Sequence, residues 1–577
     1  MMVRASNRRR QPGTAGEAAA IWVVIGAVVL LITSVWAGLM FQRARSGIPM
    51  PEASDPFALV AAVLKRQVPW TTSAWVGAGL VIAALVVVAA GIWWLVAGRR
   101  GRGSRVDRSA AVMGRGREIE PLTQKHAEHV AKRLGVDGAP GVPVGRAVAS
   151  GKMLWGTWED MHIDIWGPRT GKTTSRAIPA ILDAPGACLV TSNKRDVVDA
   201  TRDVRQEAGP VWVFDPQRIA LEEPTWWWDP LSFVTDEVKA EELAEHFAAA
   251  NTGQGAKTDV HFESNGEDLL ADCLLAGALD HRPITDVYVW LTMPGDPEPV
   301  QILRQHDYEL KAAQLEGITL TPDKERGSIY STARRMAGCL TNRSVTEWIT
   351  PTVAGRPHFD PAALVASGGT LYSLSKEGKG SAGPLVMALT AAVVAAGEEQ
   401  AAAAGGRLPV PLVGVLDEAA NVCRWRQLPE LYSHFGSKGI VLMTILQSWS
   451  QGVDVWGESG MKKLWSAANV AVYGGGVKES GFLQDLVRLV GEYDARSVSV
   501  STGRGQHSTS SQLHREQILT VDELAALPRG RAIVLASGAR PTLIRTVPWM
   551  TSPHAGAVRA SIAAHDPSAA TPERSPR

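Results

Sequence analysis

The sequence predicts an α/β protein: a mostly parallel sheet, interrupted by an all-helical insertion and preceded by two transmembrane helices. Three observations carry this. Short apolar runs alternate with helix-period stretches from residue 163 to residue 536, a central stretch over 236–348 keeps only the helical period, and two uncharged runs near the N-terminus are each long enough to span a bilayer.

The first uncharged run covers residues 18–40, AAAIWVVIGAVVLLITSVWAGLM, with Trp22 and Trp36 towards its ends. The second covers 73–98, SAWVGAGLVIAALVVVAAGIWWLVAG. The first has too long an apolar core for a cleaved signal peptide. Arg4, Arg8, Arg9 and Arg10 precede it, and Arg99, Arg100, Arg102, Arg105, Arg108, Arg115 and Arg117 follow the second, against Arg43, Arg45, Lys65 and Arg66 between them. The excess of arginine outside the pair predicts both ends in the cytoplasm and the connection external. This gives a basic N-terminus over 1–17, a membrane anchor over 18–98 and a juxtamembrane linker over 99–150, with one short helix near 123–134.

Strands are expected at 163–166, 187–192, 211–215, 370–375, 412–417, 440–446, 470–473 and 531–536. They make one nucleotide-binding domain from 151–235 and 349–550. The stretches GEDLLADCLLAGAL, PVQILRQHDYELKAAQL and GSIYSTARRMAGCL define the helical insertion over 236–348. The Ala-, Ser- and Pro-rich tail over 551–577 reads as disordered.

Composition narrows the function. With 577 residues and 45% apolar content the chain is long enough for more than one folded unit, and a net charge of +1 puts no global basic field around it. Nucleic-acid contact must therefore come from local patches or a pore. The four cysteines, Cys188, Cys273, Cys339 and Cys423, have no CxxC spacing, which argues against a zinc site or a disulfide framework and fits a reducing cytoplasm.

The chemistry centres on residues 161–182, MHIDIWGPRTGKTTSRAIPAIL, which read as strand, loop and helix. The loop Gly167, Pro168, Arg169, Thr170, Gly171, Lys172, Thr173 and Thr174 ends in the GK[ST] of a phosphate-binding loop, where backbone N–H groups at a helix N-terminus cradle phosphates. Lys172 reaches the β- and γ-phosphates of ATP, and Thr173 holds Mg²⁺. The GxxxxGK[ST] spacing asks for glycine at position 166, where tryptophan stands, so the turn into the loop is expected to differ. Residues 410–418, VPLVGVLDE, read as a buried strand ending in two carboxylates. Asp417 is placed on the metal, and Glu418 on the water that attacks the γ-phosphate. Gln447, at the end of the next strand in TILQSWSQ, is placed to touch the γ-phosphate or its water. Trp226, Trp227 and Trp228 are read as packing rather than as a base-stacking platform.

Together these motifs resemble the VirD4/TraG/TraD family of type IV secretion coupling proteins, in its actinobacterial, TraM-recognition-domain form. TSNKRDVVDATR, VWVFDPQ followed by WDPL, and LQSWSQ fit in order and spacing. The resemblance implies a RecA-like P-loop ATPase in the cell membrane, multi-pass and with a cytoplasmic motor domain. It implies a homo-hexamer that delivers single-stranded DNA with its bound relaxase to the components of a type IV secretion channel. It also implies that the helical insertion recognises substrate. Protein cargo, or a nucleotide-binding receptor with little hydrolysis, are the alternatives. Relatives often carry arginine where this chain has HFGSKGI, so Lys438, Arg424 and Arg426 are the candidates for a cation supplied to a neighbouring subunit, with Lys438 favoured by its place before the strand that ends in Gln447.

Overall fold

Apolar runs punctuated by Gly, Pro and Asp fold as strands between helices. The computed structural model describes residues 15–47, 60–63, 65, 67–99, 104–251, 260–351, 354–378, 381–503 and 506–567. Its strands are β1 (Val142–Ala147), β2 (Met153–Gly156), β3 (His162–Ile165), β4 (Cys188–Ser192), β5 (Val211–Phe214), β6 (Thr370–Leu374), β7 (Leu412–Leu416), β8 (Ile440–Leu446), β9 (Val470–Tyr473), β10 (Glu492–Gly503), β11 (Gln506–Gln517), β12 (Arg531–Ala536) and β13 (Thr542–Arg545). The chain divides into two compact units, Met1–Arg108 with Glu492–Ile518, and Ser109–Gly491 with Leu519–Arg577.

In the larger unit eleven strands form one sheet in the order β2-β1-β13-β12-β9-β3-β8-β7-β4-β6-β5. From β9 to β5 every pairing is parallel, and β12, β13, β1 and β2 extend the sheet antiparallel. β3, β4, β6, β7, β8 and β9 are buried along their whole lengths, as expected for strands covered on both faces. Register matters for function here. Ile165 of β3 pairs with Leu446 of β8, and Leu416 of β7 pairs with Thr444 of β8 and Thr191 of β4, so four strands end side by side. Ligands of open α/β sheets bind beyond such carboxyl ends.

Between β5 and β6 the described residues form helices only, from Glu237–Asn251 to Arg343–Ile349, packed around the helix Val260–Leu279. A Cβ on Gly266 of that helix would lie 2.8 Å from Thr332 Cγ2, so glycine sets the close approach of the helix Asp323–Met336. Trp226 and Trp228 are buried, and Trp226 packs edge-on or tilted against Trp212, Phe214, Trp348 and Phe359. This is an aromatic core beneath the helices, as the packing reading expects.

Three expectations are corrected. The supposed linker carries its helix, Gln124–Leu134, capped by Thr123, but continues into β1, which pairs with β13 inside the sheet. The short strand after β12, β13, escaped the sequence reading. Part of the supposedly disordered tail is a helix, Ala555–Ala564, whose Val558 joins Ile178, Leu182, Ala200 and Trp549 in a small core. Ser561 Oγ donates to the Asp199 carbonyl at 2.6 Å, and His565 Nε2 lies 2.9 Å from Asp203 Oδ1. Residues 568–577 of that tail lie outside the described residues.

In the smaller unit, helices Ala15–Ser46 and Thr72–Arg99 pack on each other. A Cβ on Gly38 would lie 2.8 Å from the Ala74 carbonyl oxygen, and one on Gly77 2.5 Å from Phe41 Cβ, so the contact depends on small residues. Gln42 closes the connection by donating to the Pro69 carbonyl at 2.9 Å and accepting from the Thr71 amide at 3.2 Å. Strands β10 and β11 pair in continuous antiparallel register from Glu492 with Gln517 to Gly503 with Gln506. Among the described residues one helix, Gly383–Ala403, is long and apolar enough to cross a membrane. It lies largely buried in the larger unit, packed against β4, β6 and β8.

Candidate functional site

The phosphate loop leaves the sheet at Trp166, whose amide still pairs with the Leu446 carbonyl at 3.0 Å. Its indole is fully buried among Val470, Val472, Ala532 and Val534 and donates to Asp164 Oδ1 at 3.1 Å. The close approach that the motif assigns to position 166 is made one residue later. Gly167 donates to the Gly475 carbonyl at 2.9 Å, and a Cβ on it would lie 2.2 Å from the Gly476 oxygen. A Cβ on Gly474 would meet the Trp166 ring at 2.0 Å. The run Gly474, Gly475, Gly476 after β9 is thus the other half of the turn. The GGG in AVYGGGVK was the signal for it in the sequence.

Beyond Gly167, Pro168 and Arg169 are exposed, and Arg169 and Gly171 take left-handed backbone with φ of 60° and 93°. Thr170 Oγ1 donates to the Gly167 carbonyl at 2.5 Å, and Thr174 Oγ1 to the Gly171 carbonyl at 3.1 Å. The helix opens with a widened, π-type turn, Thr173–Ala177, and continues as Ile178–Leu182. One turn in, the wholly buried Arg176 anchors it to β3, its guanidinium 2.9 and 3.1 Å from the two Asp164 oxygens and also donating to the Pro143 carbonyl. Burial, and then the charge of Arg176, hold the adjoining His162 well below the ordinary histidine range. This buried pair was missed, although an aspartate inside the apolar strand HIDI needs a cationic partner.

The loop and the two carboxylates come together. Lys172 Nζ lies 2.5 Å from Asp417 Oδ1 and 3.1 Å from Glu418 Oε1, with all three side chains buried. Glu418 has left-handed backbone, φ 57°, which costs a non-glycine residue energy and is typical of constrained sites. Two residues not singled out in the sequence also reach it: Asn193 Nδ2 donates to Oε2 at 2.6 Å, and Lys194 Nζ lies 3.6 Å from Oε1. Burial pushes the Glu418 carboxyl up, but Lys172, the Gln447 amide and Lys194 together hold it below the ordinary glutamate range. Gln447 thereby joins the site, its backbone amide fixed by Gln451 Oε1 at 3.1 Å. Asp196 is pushed up, by burial first and then by the charge of Asp417.

The three finger candidates differ. Lys438 is ion-paired with Glu398 at the start of β8, the end of the strand remote from Gln447. The charge of Arg426 acts on Glu267 and His246 of the helical insertion. Arg424 donates to the Asp454 carbonyl at 3.3 Å.

Residues 411–529 match the family model described as the TraM recognition site of TraD and TraG, a span that contains Asp417, Glu418 and Gln447. Among solved structures, the chain is similar to the bacterial conjugative coupling protein TrwBdeltaN70. The unbound monoclinic form has 17% identity and a TM-score of 0.52 over 74% of this chain and 91% of that one. The trigonal form with sulphate has 16% identity and a TM-score of 0.51 over 75% and 96%. The plasmid coupling protein TrwB in complex with ADP and Mg²⁺ has 17% identity and a TM-score of 0.51 over 72% and 91%. No curated protein matches the chain. At these identities the solved structures establish a shared fold.

Proposed function

We propose, for a chain of the VirD4/TraG coupling-protein type, a membrane-anchored ATPase that couples ATP hydrolysis to delivery of relaxase-bound single-stranded DNA to a type IV secretion channel. The observation that carries this reading is the meeting of Lys172 with Asp417 and Glu418 at the ends of β3 and β7. A switch that only bound nucleotide has no need of Glu418.

The residues fit MgATP. The loop offers backbone N–H groups at a helix N-terminus, and the Thr173 hydroxyl and Asp417 carboxylate are the oxygen donors that a hard cation takes. Mg²⁺, when bound, neutralises charge on the β- and γ-phosphate oxygens. Lys172 exchanges its carboxylate partners for phosphate oxygens. Glu418, already ionised, accepts the proton of the attacking water, and Gln447 orients that water. Arg176 and Asp164 keep the helix behind the loop from shifting.

The proposed anchor is the helix pair Ala15–Ser46 and Thr72–Arg99, and the arginines outside the pair support a motor domain on the cytoplasmic side of the cell membrane. In this reading the helical insertion recognises the transfer complex, and a homo-hexameric ring would let neighbouring subunits complete each site. The test is ATP turnover by the detergent-solubilised full chain, with and without single-stranded DNA. Turnover stimulated by DNA and lost in K172A supports the reading. Unstimulated turnover points to protein cargo, and none at all to a receptor.

A further inference from the structure

We infer that Asn193 is a positioning residue for Glu418, holding one carboxylate oxygen fixed while the other works on water. The inference rests on the reading of Glu418 as the water-activating group. β4 and β7 are neighbours, with Thr191 opposite Leu416, and the Asp417 amide donates to the Thr191 carbonyl at 3.1 Å. The first residues beyond β4 therefore arrive level with the two carboxylates.

The two oxygens of Glu418 are treated differently. Oε1 faces cations, Lys172 Nζ at 3.1 Å and Lys194 Nζ at 3.6 Å, whereas Oε2 accepts from Asn193 Nδ2 at 2.6 Å. A carboxylate cannot donate, so the amide must present its NH₂ to Glu418. Lys172 is the partner that a phosphate would draw away, which releases Oε1 toward the site. Oε2 then stays with Asn193, and the carboxylate keeps its orientation.

The amide is itself held. The Lys194 amide donates to Ser192 Oγ at 3.2 Å. Arg195 grips Asp199 with both ends of its guanidinium, at 2.6 and 3.2 Å, and donates to the His565 carbonyl at 2.7 Å. The loop is pinned on both sides of Asn193. The Asn193 Oδ1 atom is buried and has no hydrogen-bond partner among the described residues, so the amide is held through its NH₂ on Glu418. The left-handed backbone of Glu418 is a strained feature at the same contact.

The test uses the full chain in detergent and measures steady-state hydrolysis and binding of a fluorescent ATP analogue for N193A and N193D. N193A should lower kcat by about 10- to 100-fold, the scale of a misplaced reacting group. KM and analogue affinity should stay within about two-fold, because the ground state is bound elsewhere. N193D keeps the shape, and so the fold, but sets a carboxylate against Glu418, so its kcat should fall at least as far. In an E418Q background N193A should change the single-turnover rate by less than about two-fold, since a residue acting through Glu418 has nothing left to act on. Wild-type kcat in either variant, a raised KM at unchanged kcat, or the same loss in both backgrounds overturns the inference. If E418Q itself hydrolyses ATP at the wild-type rate, the assignment of Glu418 has failed. If E418Q is inactive while N193A is unimpaired, only the role of Asn193 has failed.

Discussion

Lys172 Nζ donates to Asp417 Oδ1 at 2.5 Å across 245 residues of chain, so the lysine proposed to bind phosphate also balances the charge of the carboxylates beside it. Replacing it removes more than a nucleotide contact. K172A should abolish transfer and also destabilise the larger unit by about 3 kcal/mol, because a buried charge left without its partner is costly. Thermal melting of the full chain reads this. K172A/D417N should regain most of the stability and none of the turnover. A K172A protein that melts like the wild type would show that water already screens the pair.

Glu418→Gln keeps the side-chain shape and removes the carboxylate proposed to accept the proton. It should bind ATP with near-normal affinity and hydrolyse it at least about 100-fold more slowly. The pH dependence follows from its lowered carboxyl. A base works only above its folded-state value, so the acid limb of kcat/KM, which reports the nucleotide-free chain with Lys172 still beside Glu418, should lie below the ordinary glutamate value of 4.5. The stability that Glu418 contributes is present above that ordinary value and is lost as pH falls through the lower folded one. An acid limb near neutrality would exclude Glu418 as the titrating base.

Asp272 behaves in the opposite sense. Burial pushes its carboxyl up to about 7 against the opposing charge of Lys311, whose Nζ lies 3.5 Å away. The folded chain therefore holds this proton more tightly than the unfolded one, and stability falls as pH rises from the unfolded value of 3.8 to about 7. D272N should remove that slope, gaining up to about 4 kcal/mol over the wild type above neutrality and little in acid. Lys311 keeps Glu241 at 2.7 Å in the variant. A melting-temperature difference independent of pH would contradict the assignment.

What was legible in the sequence follows the physics of each element. The buried parallel strands read clearly, because a strand covered on both faces is an apolar run; predicted and observed limits of 440–446, 470–473 and 531–536 coincide. β1 carries Pro143, Gly145 and Arg146 and reads as a loop, becoming a strand only because β13 and β2 lie beside it. Strands β10 and β11 are mostly polar, with an apolar alternation confined to Val498 and Val500 in SVSVS, too short to mark a half-buried strand. The tail helix is mostly alanine and serine, and depends on Asp199 and Asp203 of a distant helix for its contacts. The meeting of Lys172 with Asp417 and Glu418 was legible because motif spacing marks all three. Asn193 was not, since an asparagine ending a strand has no pattern until the neighbouring strand is known.

Membrane topology is open to direct chemistry. The arginine asymmetry predicts Ser54 outside and Ser6 in the cytoplasm, both beyond the described residues. The four native cysteines are buried and unpaired, and burial pushes the thiols of Cys188, Cys339 and Cys423 up to about 11, about 12 and about 12, so background labelling should be low. S54C should react with a membrane-impermeant maleimide in intact cells, and S6C only after lysis. The reverse pattern would invert the anchor.

Ring ATPases complete their sites with a cation from the neighbouring subunit, and an arginine in that role is worth about a thousand-fold or more in rate. Lys438 is poorly placed for this. It is ion-paired with Glu398 and separated from Gln447 by the whole of β8, about 23 Å of extended chain. Arg426 faces the helical insertion, where its charge acts on Glu267 and His246, and the neighbouring Gln427 donates to Glu245 at 2.7 Å, which ties this stretch to the insertion. Arg424 remains. It follows the short helix Ala419–Val422 directly after Glu418, contacts a backbone carbonyl at 3.3 Å, and has a planar fork suited to phosphate that lysine lacks. Burial, more than any neighbouring charge, holds its guanidinium below the usual arginine value, so an approaching anion would be favourable. R424A should therefore keep nucleotide affinity and lose turnover, while K438A stays at the wild-type rate. Mixing R424A with K172A subunits should restore a fraction of activity, because an intact Arg424 can then serve a neighbour with an intact Lys172. Mixed rings as inactive as either parent would place Arg424 in its own subunit's chemistry, and full activity of R424A alone would send the search for the cation elsewhere on the ring interface.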